Sequence, residues 1–302
     1  MTAFDDTEDR QDWAIRHVRT GGFVTRCLEA GDEHPDTVLL LHDGAWGGSS
    51  DVSWSRCIPQ LAQRYRVIAP DFLGFGGSDK ATFFDRSPYE PRIQQVEDLL
   101  DTLGITEPVH VVGTSFGGSV ALRLLAGSPD RSGMARSVTS IGGSGGPWKT
   151  AVMLEHLGRW DGTKEDLARV LRFLMAEDDG FDAQLAARHA VATRPGHYRA
   201  VASAALPVPE PLKQQNTDPW PVGLGGVRVP TMLVAGTEDE LFEHDWPERI
   251  AQELPEAVVE RIESLHSPNL DRPQEVLAVL LRHFRRAEQN EETKAARLIT
   301  PR

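Results

Sequence analysis

VHVVGTSFGGSVALRLL, residues Val109–Leu125, changes its periodicity half-way along. A β-branched run ends at Gly113, and a helix-forming run with Ala121, Leu122 and Leu125 follows. The join, Gly113-Thr114-Ser115-Phe116-Gly117, has the form G-x-S-x-G. With a strand before it and a helix after it, this pattern places a serine hydroxyl at the apex of a sharp turn. The glycines relieve crowding in the turn. The amino end of the following helix favours negative charge developing beside the serine. The same letters also occur in ordinary tight turns; the strand–turn–helix context distinguishes this one.

Working outward, apolar runs alternate with amphipathic stretches, the pattern of a parallel sheet covered by helices. TVLLLH (Thr37–His42) and YRVIAP (Tyr65–Pro70) read as buried strands, with a helix over Trp54–Arg64 between them. The glycine-rich DFLGFGGSDK reads as a loop. Val96, Leu99, Leu100 and Leu103 share one face of a helix over Ile93–Leu103. Ser137–Ile141 is a further strand. Strand rhythm then lapses until PTMLVA (Pro230–Ala235) and AVVERI (Ala257–Ile262), before a last helix over Gln274–Phe284. Within the gap, Thr163–Met175 and Phe181–Thr193 read as helices, and Pro195, Pro207, Pro209, Pro211, Pro219 and Pro221 punctuate the rest. The expected organisation is an α/β core formed by residues 1–142 and 230–302, with a helical insertion over 143–229. Such an insertion roofs the carboxyl ends of the strands, where parallel sheets bind ligands. The end from Ala287 to Arg302 is polar and is expected to be loosely held.

Composition removes several classes of function. A formal net charge of −13 repels a phosphate backbone and argues against nucleic-acid partners. Two cysteines, Cys27 and Cys57, make neither a disulfide framework nor a zinc pattern. No apolar run approaches the length of a membrane span. The opening MTAFDDTEDR is acidic and lacks an apolar signal core, so a cytoplasmic setting is expected. The sequence holds no dinucleotide fingerprint, phosphate loop or metal-ligand cluster, so neither metal nor cofactor is implied. The expected partner is a small-molecule substrate.

A hydroxyl becomes a nucleophile when a base takes its proton. His266, in SLHSP after the last strand, stands where that base belongs; His244 is its nearest competitor but precedes that strand. His42, His110 and His189 come too early in the chain for the serine–acid–histidine order. The supporting acid lies in GTEDE after TMLVA, where Glu238, Asp239 and Glu240 are adjacent and chemistry alone leaves the choice open. An oxyanion also requires donors. The backbone N–H of Phe116 is one, and Gly44 in the loop HDGAWGG is the choice for the second.

HDGAWG, APDFLGFGGSD, VVGTSFGG, GTEDELF and LHSPNLDRP resemble the signatures of the α/β-hydrolases from Thr37 to Phe284. That resemblance implies a mostly parallel sheet, a helical lid (cap) and a serine hydrolase with the triad Ser115, His266 and Asp239, the acid three residues beyond Gly236. The closest branch is the meta-cleavage-product hydrolases, which cut a carbon–carbon bond in 2-hydroxy-6-oxo-dienoates. HDGAWG, YRVIAPDFLGFGGSDK, SIGGSGG and the lid EDLARVLRFLMAEDDGFDAQLAARHAVATRP carry it. In that likeness Arg188 falls where the branch keeps an arginine for the substrate carboxylate, although a solvated helix arginine reads the same way. Thr114 stands where the branch generally has asparagine, Ser267 where it has tryptophan, and Asp43 where it has the first loop glycine; Thr114 and Ser267 are pocket positions by the same likeness. The resemblance also suggests a dimer or higher homo-oligomer. The same triad serves ester cleavage of a small organic molecule, or a thioesterase or acyltransferase of a biosynthetic pathway. A non-catalytic small-molecule receptor on this fold is the alternative from another class, separated from the rest by turnover.

Overall fold

The computed structural model describes residues 13–127, 132–203, 206–207, 218, 220–221, 223–254 and 256–299. MTAFDDTEDR, Pro209, Pro211 and Pro219 lie outside the described residues.

The strands are β1 (Ala14–Thr20), β2 (Phe23–Ala30), β3 (Thr37–Leu41), β4 (Arg66–Pro70), β5 (Val109–Thr114), β6 (Ala135–Ile141), β7 (Thr231–Gly236) and β8 (Val258–Ile262). They form one 8-stranded sheet in the order β1-β2-β4-β3-β5-β6-β7-β8. The β1–β2 hairpin and the β2–β4 pair are antiparallel, and the remaining pairs are parallel. From β3 the chain runs outward to β4, and from β5 it runs the opposite way to β6. The crevice where ligands bind in such a sheet therefore opens at the carboxyl ends of β3 and β5.

The period of two in a strand divides the core into two halves. Leu39 and Leu41 face one side with Val111, Val120, Val96 and Leu99. Val38 and Leu40 face the other with Val112, Trp54, Leu61 and Leu280. On the first side pack α3 (Glu90–Thr102) and α4 (Phe116–Leu125). On the second pack α1 (Ser50–Trp54) and α2 (Ile58–Leu61), together with the last helix. Between β6 and β7 lie α5 (Ala151–His156), α6 (Lys164–Leu174), α7 (Phe181–Ala192) and α8 (His197–Ala202). The Thr150 and Thr163 hydroxyls cap α5 and α6 by accepting from the N–H groups of Met153 and Asp166. After β7 come α9 (Trp246–Glu253), α10 (Pro268–Asp271) and α11 (Pro273–Ile299).

Three expectations change. The helix over Trp54–Arg64 is two short helices, because Pro59 has no N–H to continue the first and instead sits at the start of the second. The hairpin β1–β2 has no counterpart in the sequence reading, because Arg26 and Glu29 interrupt its apolar pattern; both are buried and ion-paired. The polar end from Ala287 is the continuation of α11 to Ile299, held where Tyr65 donates to Glu288 at 3.0 Å and Arg136 pairs with Glu291 at 3.1 Å. Both cysteines are buried free thiols, pushed up to about 12 chiefly by burial. Among the described residues no helix is long and apolar enough to cross a membrane.

Helix α4 leaves the sheet through very close backbone contacts. A Cβ on Gly113 would lie 2.1 Å from the Gly117 carbonyl oxygen, and one on Gly117 would lie 2.3 Å from that of Leu41. Neither neighbour is the flexible end of a side chain. Gly117→Ala is therefore expected to destabilise the fold by about 3 kcal/mol or more. Gly225→Ala, which meets nothing within 4 Å, serves as the control in denaturant titrations of both variants.

Candidate active site

Ser115 sits at the turn from β5 into α4 with φ 54° and ψ −115°, a conformation that residues other than glycine seldom adopt. Its N–H donates to the Ile141 carbonyl at 2.7 Å, and its carbonyl accepts from Ser119 N–H at 3.0 Å. The strained turn is thus tied to β6 on one side and to the helix on the other.

His266 lies in the loop after β8 and is fully buried. Its Nε2 is 2.9 Å from Ser115 Oγ and its Nδ1 is 2.8 Å from Asp239 Oδ2. The ring stacks on Phe242 and lies against Gly142, where a Cβ would come within 3.1 Å of Cε1. Asp239 is buried after β7, and its other oxygen accepts from Leu241 N–H at 2.8 Å. Glu238 and Glu240 point to solvent, as does His244. Of the competing groups weighed from the sequence, the fold brings only Asp239 and His266 to Ser115.

Gly44 follows β3 and lies beside Phe116: a Cβ on it would fall 2.8 Å from the Phe116 Cβ. Close approach, and not a left-handed turn, requires glycine there. His42 anchors this loop, donating from Nδ1 to the Asp43 carbonyl at 2.6 Å and accepting at Nε2 from Phe72 N–H at 2.9 Å. Burial lowers its pKa and keeps it neutral, as this pair of bonds requires. Asp71 fixes the neighbouring loop by accepting from Arg26, Ser50 N–H and Gly77 N–H.

The helices between β6 and β7 dock on these same loops. Gly47 N–H donates to His197 Nε2 at 3.0 Å, Trp46 Nε1 to the Leu157 carbonyl at 3.0 Å, Gln184 Nε2 to the Val52 carbonyl at 2.8 Å, and Ser267 N–H to the Leu174 carbonyl at 2.8 Å. Beneath them Ser115 is 8% exposed and His266 0%, so water has little access to this pair. Two clefts lie elsewhere. One of about 560 Å³ opens between Trp46, Trp160 and Tyr198, and one of about 520 Å³ lies by Arg136, Pro230 and Glu291; Ser115 lines neither.

The three residues expected as substrate contacts are all buried. Arg188 on α7 is fully buried, and its terminal nitrogens donate to both oxygens of Asp43 at 3.0 and 2.9 Å and to the Trp46 carbonyl at 3.2 Å. Thr114 is buried and its hydroxyl donates to Asn269 Oδ1 at 2.9 Å. Ser267 is buried, and its hydroxyl has no partner among the described residues. Asn269, which also donates to the Ser53 carbonyl at 2.9 Å, is the residue missed in the sequence. The signal available was its position in the histidine loop, three residues after His266.

A model of the alpha/beta hydrolase family matches residues 38–279. The chain belongs to that family. It is 31% identical over 229 residues to the 2-hydroxy-6-oxo-6-(2'-aminophenyl)hexa-2,4-dienoic acid hydrolase of Metapseudomonas resinovorans, covering 75% of each chain. It is 27% identical over 233 residues to the 2-hydroxymuconate semialdehyde hydrolase of Pseudomonas sp. strain CF600, covering 75% of this chain and 78% of the relative. Among solved structures, the 2-hydroxy-6-oxo-6-phenylhexa-2,4-dienoate hydrolase from Rhodococcus sp. strain RHA1 aligns with a TM-score of 0.76 at 25% identity, covering 90% of this chain and 99% of that one. The family likeness inferred from the motifs is thus borne out: this is an α/β-fold hydrolase whose relatives include carbon–carbon bond hydrolases.

Several histidines, two by the site and two at a distance from it, are buried with lowered pKa values. Burial is the leading cause for each: it holds His197 at about 4, His110 at about 3 and His283 at about 4, against 6.5 in water, and lowers His42 as well. Below pH 6.5 the unfolded chain therefore binds protons that the native state does not. Stability present above pH 6.5 is expected to decline as the pH falls from about 6.5 to about 4. Urea midpoints across that range check this; a flat profile would mean that these imidazoles are charged in the folded protein.

Proposed function

We propose that the protein is a serine hydrolase in which Ser115 is the nucleophile, His266 the general base and Asp239 the group that orients it. The observation carrying this reading is the continuous contact Asp239–Nδ1, Nε2–Ser115, at 2.8 and 2.9 Å. Nδ1–H donates to the carboxylate, so Nε2 is left to take the serine proton.

As Ser115 Oγ bonds to a carbonyl carbon, its proton passes to His266 Nε2. The carbonyl oxygen gains the charge and is held by the N–H groups of Gly44 and Phe116, with the amino end of α4 behind them. Collapse of the adduct expels the leaving group, which takes the proton from His266. Water then enters by the same route in reverse and frees the serine. For a dienol, His266 first moves a proton to give the keto form. The substrate class supported by the relatives is a 2-hydroxy-6-oxo-dienoate-like compound cut at a carbon–carbon bond; the same atoms cut the ester of a small organic molecule. Residues 143–229 act as the lid over this chemistry, a reading supported by their contacts with the loops after β3 and β8.

Ser115→Ala and His266→Ala are each expected to lower kcat by about 10⁴-fold or more, and the double variant to add little, since the pair acts as one unit. Asp239→Asn should cost about 10³–10⁴-fold with the fold intact. A panel of 4-nitrophenyl esters beside a chromogenic 2-hydroxy-6-oxo-dienoate measures all four proteins. Near-native turnover by Ser115→Ala would end the reading.

A further inference from the structure

The guanidinium of Arg188 already holds a carboxylate, and it is the protein's own. Asp43 immediately precedes Gly44, and its two oxygens lie 3.0 and 2.9 Å from the two terminal nitrogens of Arg188. Both side chains are buried, with 0% and 2% of their surface exposed. Asp43 is itself fixed from two further directions: Ala45 N–H donates to Oδ1 at 2.9 Å and the Ser53 hydroxyl to Oδ2 at 2.7 Å. Burial alone would favour the neutral acid, but Arg188 and these donors outweigh it and hold Asp43 well below the usual carboxylate range. The carboxylate is therefore charged throughout the working pH range.

This arrangement removes the usual reason for an anion to enter. A planar fork that grips one carboxylate on two nitrogens cannot grip a second in the same way. Asp43 takes the end of the fork and the Trp46 carbonyl the second Nη1–H, so the Nε–H and one Nη2–H remain without a partner among the described residues, on a side chain with none of its surface exposed. An incoming carboxylate would meet a neutral pair whose negative end is held at the Ala45 amide, one residue beyond Gly44, with little water to screen it. It must displace Asp43, which would leave that charge buried and unpaired, or remain unpaired itself.

We propose that Asp43 determines specificity, filling Arg188 internally so that the site takes uncharged carbonyl substrates, such as esters of neutral acids, and discriminates against carboxylates. The inference rests on the serine-hydrolase reading; of the two substrate classes given there it keeps the ester and sets aside the dienoate, which is itself a carboxylate.

The test uses a matched pair, 4-nitrophenyl butyrate and the 4-nitrophenyl hemiester of glutaric acid, with 2-hydroxy-6-oxo-6-phenylhexa-2,4-dienoate as a second anion. The full-length protein should favour the neutral ester in kcat/KM by about tenfold or more. Asp43→Asn keeps the shape and frees Arg188, so the ratio should move toward the hemiester by about tenfold or more. Adding Arg188→Gln to Asp43→Asn should abolish that gain. Glutarate should raise the thermal midpoint of Asp43→Asn, whose arginine it would pair, and leave the unaltered protein unmoved. The ratio is read within each protein, so a general loss of rate does not mimic the effect. If Asp43→Asn does not fold, the ratio in the unaltered protein still decides.

Ser115-dependent turnover that favours the anions in the unaltered protein, or a ratio that Asp43→Asn leaves unchanged, overturns the inference and spares the hydrolase reading. Absence of Ser115-dependent turnover on all three substrates overturns both.

Discussion

The approach of α4 to β3 is the contact on which the rest of the site depends. Gly117 passes so near the Leu41 and His42 carbonyls that no side chain fits between them. That approach brings the loop after β3 beside the residue following Ser115, where Gly44 and Phe116 nearly touch. It also forces Ser115 into a positive φ, at a cost of about 1–3 kcal/mol. The bonds from Ser115 N–H to Ile141 and from Ser119 N–H to Ser115 are made only in this geometry, and they offset part of that strain. The positions of the Ser115 hydroxyl, of the Gly44 and Phe116 amides and of the helix terminus are thus consequences of one backbone contact.

A second layer of organisation is ionic. The loops after β3 and β4 contain little regular structure, yet they must be fixed for the amides to point at one atom. Two buried acids do this work. Asp71 gathers Arg26, Ser50 and Gly77, and Asp43 gathers Arg188, Ser53 and Ala45. A buried ion pair is weak evidence for stability, because desolvation offsets its attraction, but losing one partner costs about 3–5 kcal/mol. Such pairs therefore act more on geometry than on net stability. The Asp43 pair also spans from α7 to the loop below, so the position of the helices after β6 is coupled to that of the Gly44 amide.

The sequence made the core legible because its strands are buried on both faces. TVLLL, RVIAP and TMLVAG are continuous apolar runs, which is how strands covered on both faces read. Chain order located His266 and Asp239, while chemistry alone did not separate Asp239 from its exposed neighbours; burial does. What escaped reading was polar and long-range. Strand β2 carries Arg26 and Glu29, whose partners lie far away in the chain. The partner of Arg188 is 145 positions distant, and no local pattern announces it. An arginine that binds a ligand and one that binds an aspartate have the same local sequence.

The departures from the carbon–carbon hydrolase pattern, read together, have one physical account at two of their three positions. Arg188 donates to Asp43, the Ser53 hydroxyl donates to Asp43, Asn269 donates to the Ser53 carbonyl, and Thr114 donates to Asn269. This is an unbroken buried chain from α7 to the residue before the nucleophile. Asp43 and Thr114, where the pattern has glycine and asparagine, are two of its links. Removing Asp43 alone leaves Arg188 and Ser53 without their acceptor, and altering Thr114 alone leaves Asn269 short of a donor. Buried polar groups that share partners are not additive, so each link is held in place by the others. Ser267 stands outside the chain, with its N–H on Leu174 and its hydroxyl unpaired, and nothing in the structure explains its side chain. The polar capacity at positions 43, 114 and 188 is thus turned inward, which ties α7 to the loop after β3 and to the turn that holds Ser115.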